Sequence, residues 1–196
     1  MVNGVLPFQE LQELVKSKFI ISDSEIREDQ YGPASFEPTL GDIAYVMPAS
    51  ILSFPGKSLS ERLEKEKLYT INLKDDRVGF LDKGRVHVIP LREKLNLDSG
   101  FIGESTGRSS VGRTNTVLRL LTGDNQRYDT IPSGYKGTIY LEVYPGSFPI
   151  EIQEGLSLNQ IKFAYGNFSN LDEADLKILH SINPILFDKQ GKPLSL

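Results

Sequence analysis

The densest chemistry in the chain lies between Gly103 and Thr114, which reads GESTGRSSVGRT and gathers Arg108, Arg113, three glycines and a run of hydroxyl side chains. Glycines let backbone N–H groups approach an anion closely. Ser109 and Ser110 can donate to phosphate oxygens, and arginine adds forked, charge-assisted bonds. The combination suits a phosphate cradle, and a polar turn between strands accounts for the composition about as well. Gly107 to Thr114 also nearly spells G-x(4)-G-K-[ST]. Arg113 stands where that loop has lysine, and the following TNTVLRLL reads as a strand rather than the required helix.

The second feature is a lone acid. Along Gly137–Tyr144, strand alternation puts Ile139, Leu141 and Val143 on one side and Thr138, Tyr140, Glu142 and Tyr144 on the other. Glu142 between two tyrosines is either a partly buried general base or an ordinary glutamate on a wet face, and residue types alone favour the latter. Tyr128–Gly137 reads as a tight connection into that strand. Asp129 there suits a sugar hydroxyl or, more commonly, a turn cap. Arg119 falls mid-strand beside Val117 and Leu121, which makes it paired, pocket-lining or interfacial, whereas Arg127 reads as a solvated loop charge.

Other chemistries are scarce. With no cysteine there is no thiolate nucleophile, disulfide or Cys-ligated zinc. The two histidines, His87 and His180, belong to no HExxH or H-x-E…P-C-x-x-C pattern, so catalytic zinc is not expected. His87 alternates with Val86 and Val88 as a structural strand histidine, and His180 takes a polar position in a helix. Lys plus Arg is 22 against 26 Asp plus Glu, a net charge of −4, which argues against nucleic-acid polymers and membrane surfaces as partners. No signal-like start and no run of ~20 apolar residues is present, so a cytoplasmic location is expected.

These residues need elements to position them. The 196 residues, 39% hydrophobic and 24% charged, suit one domain with a short appendage. Phe8, Leu11, Leu14, Val15 and Phe19 predict a helix with Pro7 at its first position. Pro33 to Gly41 is too rich in proline for a central strand. Asp42–Met47 reads as a strand, and Ser58 with Glu61 as a capping box before ERLEKEKL. From Tyr69 onward YTINL, VGFL, RVHVIPL, TVLRLL, GTIYLEVY, PIEI and LNQIKFAY are short strands between turn residues, which predicts an antiparallel barrel or double sheet. Asn170 and Glu173 predict the start of a last helix with Leu171, Ala174, Ile178 and Ile182 on one face, ended by Pro184.

In combination the segments resemble the dCTP deaminase/dUTPase superfamily. Gly107–Arg113 reads GRSSVGR against the deaminase pattern G-R-S-S-[LV]-[AG]-R. Ile131–Gly137, Leu141-Glu142, Pro149-Ile150 and Gly155–Phe163, with Gln160 inside it, follow in family order. Pro33–Gly41 resembles the upstream P-[AS]-S-[LVF]-[DE]-x-x-[LI]-G. Gly4-Val5-Leu6-Pro7 and Asp129–Tyr135 resemble the first half of the longer, duplicated dCTP deaminases.

The resemblance implies a mainly β fold, a dUTPase-like distorted β-barrel or double sheet (β-clip-like) with flanking short helices. It implies a deaminase domain over 1–166 with an N-terminal helix, and a C-terminal helix and tail over 167–196 leading towards a second homologous half. The implied activity is hydrolysis of dCTP to dUTP and ammonia without zinc. Arg108, Ser109 and Ser110 would hold the triphosphate, whose Mg2+ comes with the nucleotide. Arg113 and Ser109 would position the base or the attacking water, and Glu142 would transfer protons. Val111, Gly112, Asp129, Tyr140, Leu141 and Gln160 complete the implied substrate contacts. Self-association as a trimer or pseudo-trimer is implied too. Where the family turn has a nucleoside-contacting Asp this chain has Pro132, and Arg119–Thr122 replaces a His-x-Thr-Ala segment. A dUTP diphosphatase, or a nucleotide-binding half without activity of its own, are the competing expectations.

Overall fold

The runs rich in β-branched and aromatic residues form strands, and every sheet they build is antiparallel. The computed structural model describes residues 3–52, 58–75, 77–123, 125–166 and 171–195. Two units are distinguished, 1–166 and 167–196.

In the first unit the strands are β1 (Gly4–Val5), β2 (Ile20–Ile21), β3 (Ile43–Met47), β4 (Tyr69–Asn72), β5 (Gly79–Leu81), β6 (Val86–Asn96), β7 (Phe101–Gly107), β8 (Thr116–Thr122), β9 (Thr130–Ile131), β10 (Lys136–Pro145), β11 (Ile150–Ile152) and β12 (Asn159–Tyr165). Its helices are α1 (Phe8–Lys16), α2 (Leu59–Glu66) and the single turn α3 (Ser109–Gly112). The larger sheet runs β4-β3-β6-β10-β8 with β2 added beside β6, the smaller runs β1-β12-β7-β9, and β11 pairs with β5. The expected class, mainly β with short flanking helices, is the observed one.

The main core draws Ile89, Leu91 and Leu95 from β6, Ile139, Leu141 and Val143 from β10, Ile161 and Phe163 from β12, and Leu11 and Leu14 from α1. A second cluster lies on the other face of the large sheet, where Leu59 and Leu63 of α2 pack with Met47, Val88, Leu121 and Tyr140. The period-2 reading of β10 therefore separates two packed faces, and the side expected to be wet is partly covered.

Some boundaries moved. Pro7 precedes α1 as its N-cap rather than opening it, and α1 ends at Lys16. Lys18 then turns left-handed, and the Phe19 N–H donates back to the Leu14 carbonyl at 2.8 Å, so Phe19 packs from beyond the helix. The expected capping box does not form: Ser58 is the N-cap of α2, but its hydroxyl pairs with Ser60 Oγ at 2.7 Å.

The Pro/Gly-rich segment is tied to β6 where that strand leaves β10. Thr138 pairs with Lys94 while Tyr140 pairs with Pro90, so Leu91, Arg92 and Glu93 fall out of register. The Gly41 N–H donates to the Pro90 carbonyl at 2.8 Å, and the Arg92 N–H to Thr39 at 2.9 Å. A Cβ at Gly41 would stand 2.7 Å from the Pro90 oxygen, which explains the glycine closing the upstream motif. Glu93, buried, accepts from Gln30 Nε2 (2.7 Å), the Thr39 N–H (2.8 Å) and Thr39 Oγ1 (3.0 Å).

In the second unit α4 (Glu173–Ile182) is capped by Asp172, which accepts the Asp175 N–H at 2.8 Å. Asn170, the expected cap, lies outside the described residues. The expected shared face is exposed at Leu171, Ile178 and Ile182. His180 is buried rather than polar-facing. Its Nδ1 accepts the Ile185 N–H at 3.0 Å, so Nε2 carries the proton and donates to the Leu194 carbonyl at 2.8 Å, which folds the tail onto the helix.

Candidate functional site

The acid-bearing face is built by register. Glu142 on β10 lies opposite Val88 of β6 and Arg119 of β8, and Val88 lies opposite Tyr45 of β3. Tyr45, Val88, Glu142 and Arg119 thus form one row across four strands. The Glu142 side chain is 3% exposed, so the wet-face reading is wrong. Among the described residues three donors reach it. Ser50 Oγ donates to Oε1 at 2.9 Å, the Ile51 N–H to Oε2 at 3.3 Å, and Arg119 Nη1 lies 3.5 Å from Oε1.

Arg119 is 41% exposed and lies over the Tyr128 ring, 4.8 Å from its centroid. The Tyr128 hydroxyl donates to the Ile51 carbonyl at 3.4 Å. Burial, and then the nearby Glu142 charge, push the Tyr128 phenol up. Of the three options for Arg119, the structure shows pairing. The neighbours of Glu142 differ from those expected: Tyr140 is buried among α2 residues, but Tyr144 is exposed, and Ser50 and Ile51 cover the acid instead.

The phosphate-cradle segment is half strand and half helix. Gly103–Gly107 belongs to β7, paired with β12, and Arg108 precedes α3 as its N-cap. One turn later the chain enters β8, so the P-loop reading fails on the length of the helix. Ser109, Ser110, Gly112 and Arg113 are exposed and Val111 is half-buried. Arg108 Nη1 makes an ion pair with Glu37 at 3.1 Å and donates to the Ser157 carbonyl at 3.3 Å. Glu37 is held in turn by the Gln30 backbone and side chain, and Gln30 by Glu93.

The remaining expected contacts are scattered. Asp129, at φ +61°, accepts the Leu120 N–H at 2.7 Å through Oδ1, and burial pushes its carboxyl up. Gln160 donates to Thr106 Oγ1 at 3.3 Å from the smaller sheet. Leu141 points into the main core, opposite in sense to Glu142. Among the described residues no hydrogen bond or ion pair joins the Arg108–Arg113 bend to Glu142. None of them forms a group of three or more His, Asp or Glu placed for a metal, and no helix is long and apolar enough to cross a membrane.

The sequence reading missed Ser50, Ile51 and Tyr128 around the acid, and Glu37 as partner of Arg108. Glu37 had a signal, the acidic position of the upstream motif. Ser50 had none, because only the path of the chain after β3 brings it to β10.

The profile of the family described as "2'-deoxycytidine 5'-triphosphate deaminase (DCD) N-terminal domain" matches residues 2–167. The chain belongs to this deaminase family. A dCTP deaminase of Shewanella amazonensis is 23% identical over 160 residues, 79% of each chain. A "dCTP deaminase, dUMP-forming" of Methanosphaera stadtmanae is 23% identical over 162 residues, 82% of this chain and 78% of that one. The crystal structure of 2'-deoxycytidine 5'-triphosphate deaminase from Agrobacterium tumefaciens superposes with a TM-score of 0.86 at 32% identity, over 94% of this chain. The present chain spans 55% of that chain's length.

Proposed function

We propose that the chain is a dCTP-deaminating domain, converting dCTP and water to dUTP and ammonia, with Glu142 as the proton-transfer group. The observation that carries this reading is a buried carboxylate, held by three donors on a sheet face, in a chain of the deaminase family. Attack of water on C4 of the cytosine ring needs a base, and the departing amino group needs an acid. A carboxylate that accepts a proton and returns it serves both. One water proton ends on ring N3. The second, from the hydroxyl formed on C4, goes to N4 as the C4–N4 bond breaks and the C4 carbonyl forms.

Arg108, Ser109 and Ser110 bind the triphosphate, which brings its own Mg2+, and the forked guanidinium suits adjacent phosphate oxygens. Arg113 and Ser109 face the base or the attacking water. The exposure of this bend, and the lack of bonds from it to Glu142 among the described residues, support a pocket shared between copies or homologous halves, hence self-association. A nucleotide-binding half without turnover is the second reading, favoured by the span of 55% of the Agrobacterium chain.

The test is incubation of the chain with dCTP or dUTP and Mg2+, followed by product analysis. Ammonia with dUTP is the expected result. Ammonia with dUMP and pyrophosphate would move the assignment to the dUMP-forming type, pyrophosphate from dUTP alone to a diphosphatase, and binding without turnover to the second reading.

A further inference from the structure

We infer that Ser50 is the proton relay between Glu142 and the reacting water, an inference that rests on the deaminase reading above. The carboxylate is 3% exposed, so it meets solvent almost entirely through the groups that cover it. Those groups are not equivalent. The Ile51 N–H and the Arg119 guanidinium are donors that do not act as acceptors, so they hold the charge in place without passing a proton through. Among the described residues that contact the carboxylate, the Ser50 hydroxyl alone donates and accepts at once. It donates to Oε1 at 2.9 Å, the shortest of the three contacts, and Ser50 itself is exposed. One hydroxyl thus spans the step from the sealed acid to the surface, with Tyr128 and Arg119 packed beside it.

The step balances. A water proton moves to Ser50 Oγ as the Ser50 proton moves to Glu142 Oε1, and the water oxygen bonds to C4. Glu142 returns that proton by way of Ser50 to ring N3. The C4 hydroxyl proton takes the same route to N4, ammonia leaves, and Ser50 and Glu142 end as they began. Arg119 and the Ile51 N–H keep Oε1 and Oε2 oriented and are positioning groups.

The experiment is single-turnover deamination of dCTP by the chain and its Ser50→Ala, Ser50→Thr and Glu142→Gln variants, in water and in H2O/D2O mixtures. Ser50→Ala is expected to lower the chemical rate about 10²-fold with dCTP affinity within about 2-fold, since Ser50 does not touch the triphosphate bend. Ser50→Thr restores the hydroxyl and should recover most of the rate. The wild-type rate should curve with deuterium fraction, the sign of two protons in flight, and Ser50→Ala should lose the curvature. A structural role for Ser50 would move stability or affinity but not that curvature. If Glu142→Gln is inactive while Ser50→Ala keeps the full rate, or the wild-type plot is straight, the relay is wrong and the deaminase reading stands. If the chain releases no ammonia, or Glu142→Gln remains active, the deaminase reading falls and takes the relay with it.

Discussion

The Glu142 face and the Arg108–Arg113 bend carry the same kind of residue, charged and polar side chains, but they are held in opposite ways. Glu142 sits inside a sheet, fixed by cross-strand register and by Ser50, Ile51 and Arg119. The bend is one helical turn in solvent whose Arg108 is restrained by Glu37 and one carbonyl. A proton-transfer group works when its geometry is set in advance. A triphosphate brings enough charge to organise exposed donors on arrival. Rigidity is concentrated where proton transfer is proposed, and exposure where charge capture is.

Substitutions can break or sharpen this contrast. The largest effect is expected for Glu142→Gln, which should lower ammonia release at least about 10³-fold while isothermal titration finds dCTP affinity within a few-fold. A parallel loss of binding would show that the two regions are not separate in role. Glu93→Ala should cost about 3 kcal/mol in urea unfolding, because Gln30 and the Thr39 N–H lose a buried acceptor. It should also weaken triphosphate binding through Glu37 and Arg108.

Arg108→Ala should weaken triphosphate affinity about 30-fold, an estimate from the loss of charge-assisted bonds. It should leave the urea midpoint nearly unchanged, since its Glu37 pair is partly exposed. His87 gives a smaller, pH-dependent effect. Burial holds its imidazole below the usual value, against a weaker opposing pull from the Val143 backbone. Between the usual histidine value near 6.5 and the lowered one, the unfolded chain binds a proton that the native chain does not. Stability should therefore fall as pH drops below about 6.5, by up to about 1.4 kcal/mol per pH unit. His87→Leu should flatten that slope in urea midpoints compared at pH 7 and pH 5.5. The smallest effect is expected for Ser58→Ala, within about 0.5 kcal/mol in the same assay, because the cap bond is not made.

What was legible in the sequence follows the range of the interaction that decides it. Strand runs and the two faces of β10 depend on local alternation; Ile139, Leu141 and Val143 share one side as read, and the fold makes that side core. The GRSSVGR segment was legible as a motif, but its split into the end of β7 and one helical turn was not, because pairing with β12 decides where β7 stops. Ser50 and Glu142 are 92 residues apart, and no local pattern joins them. The sequence does not decide the role of Arg119 for the same reason, since only the pairing of β8 with β10 sets it against Glu142. His180 looked polar from helical phase alone, yet the returning tail buries it.

The out-of-register stretch at Leu91–Glu93 has a consequence for how this chain tolerates change. Because Pro90 and Glu93 each grip the neighbouring segment, the length of β6 between them acts as a ruler. Three residues of β6 face the single Ile139 there, so deleting one would leave two against one and reverse which layer the β6 side chains on one side of the irregularity face. The sheet could survive such a change by repacking, but Gln30, Glu37 and Thr39 would lose their moorings together. A single-residue length variant in the middle of the molecule would then surface as a defect at the distant arginine, with the acid still in place.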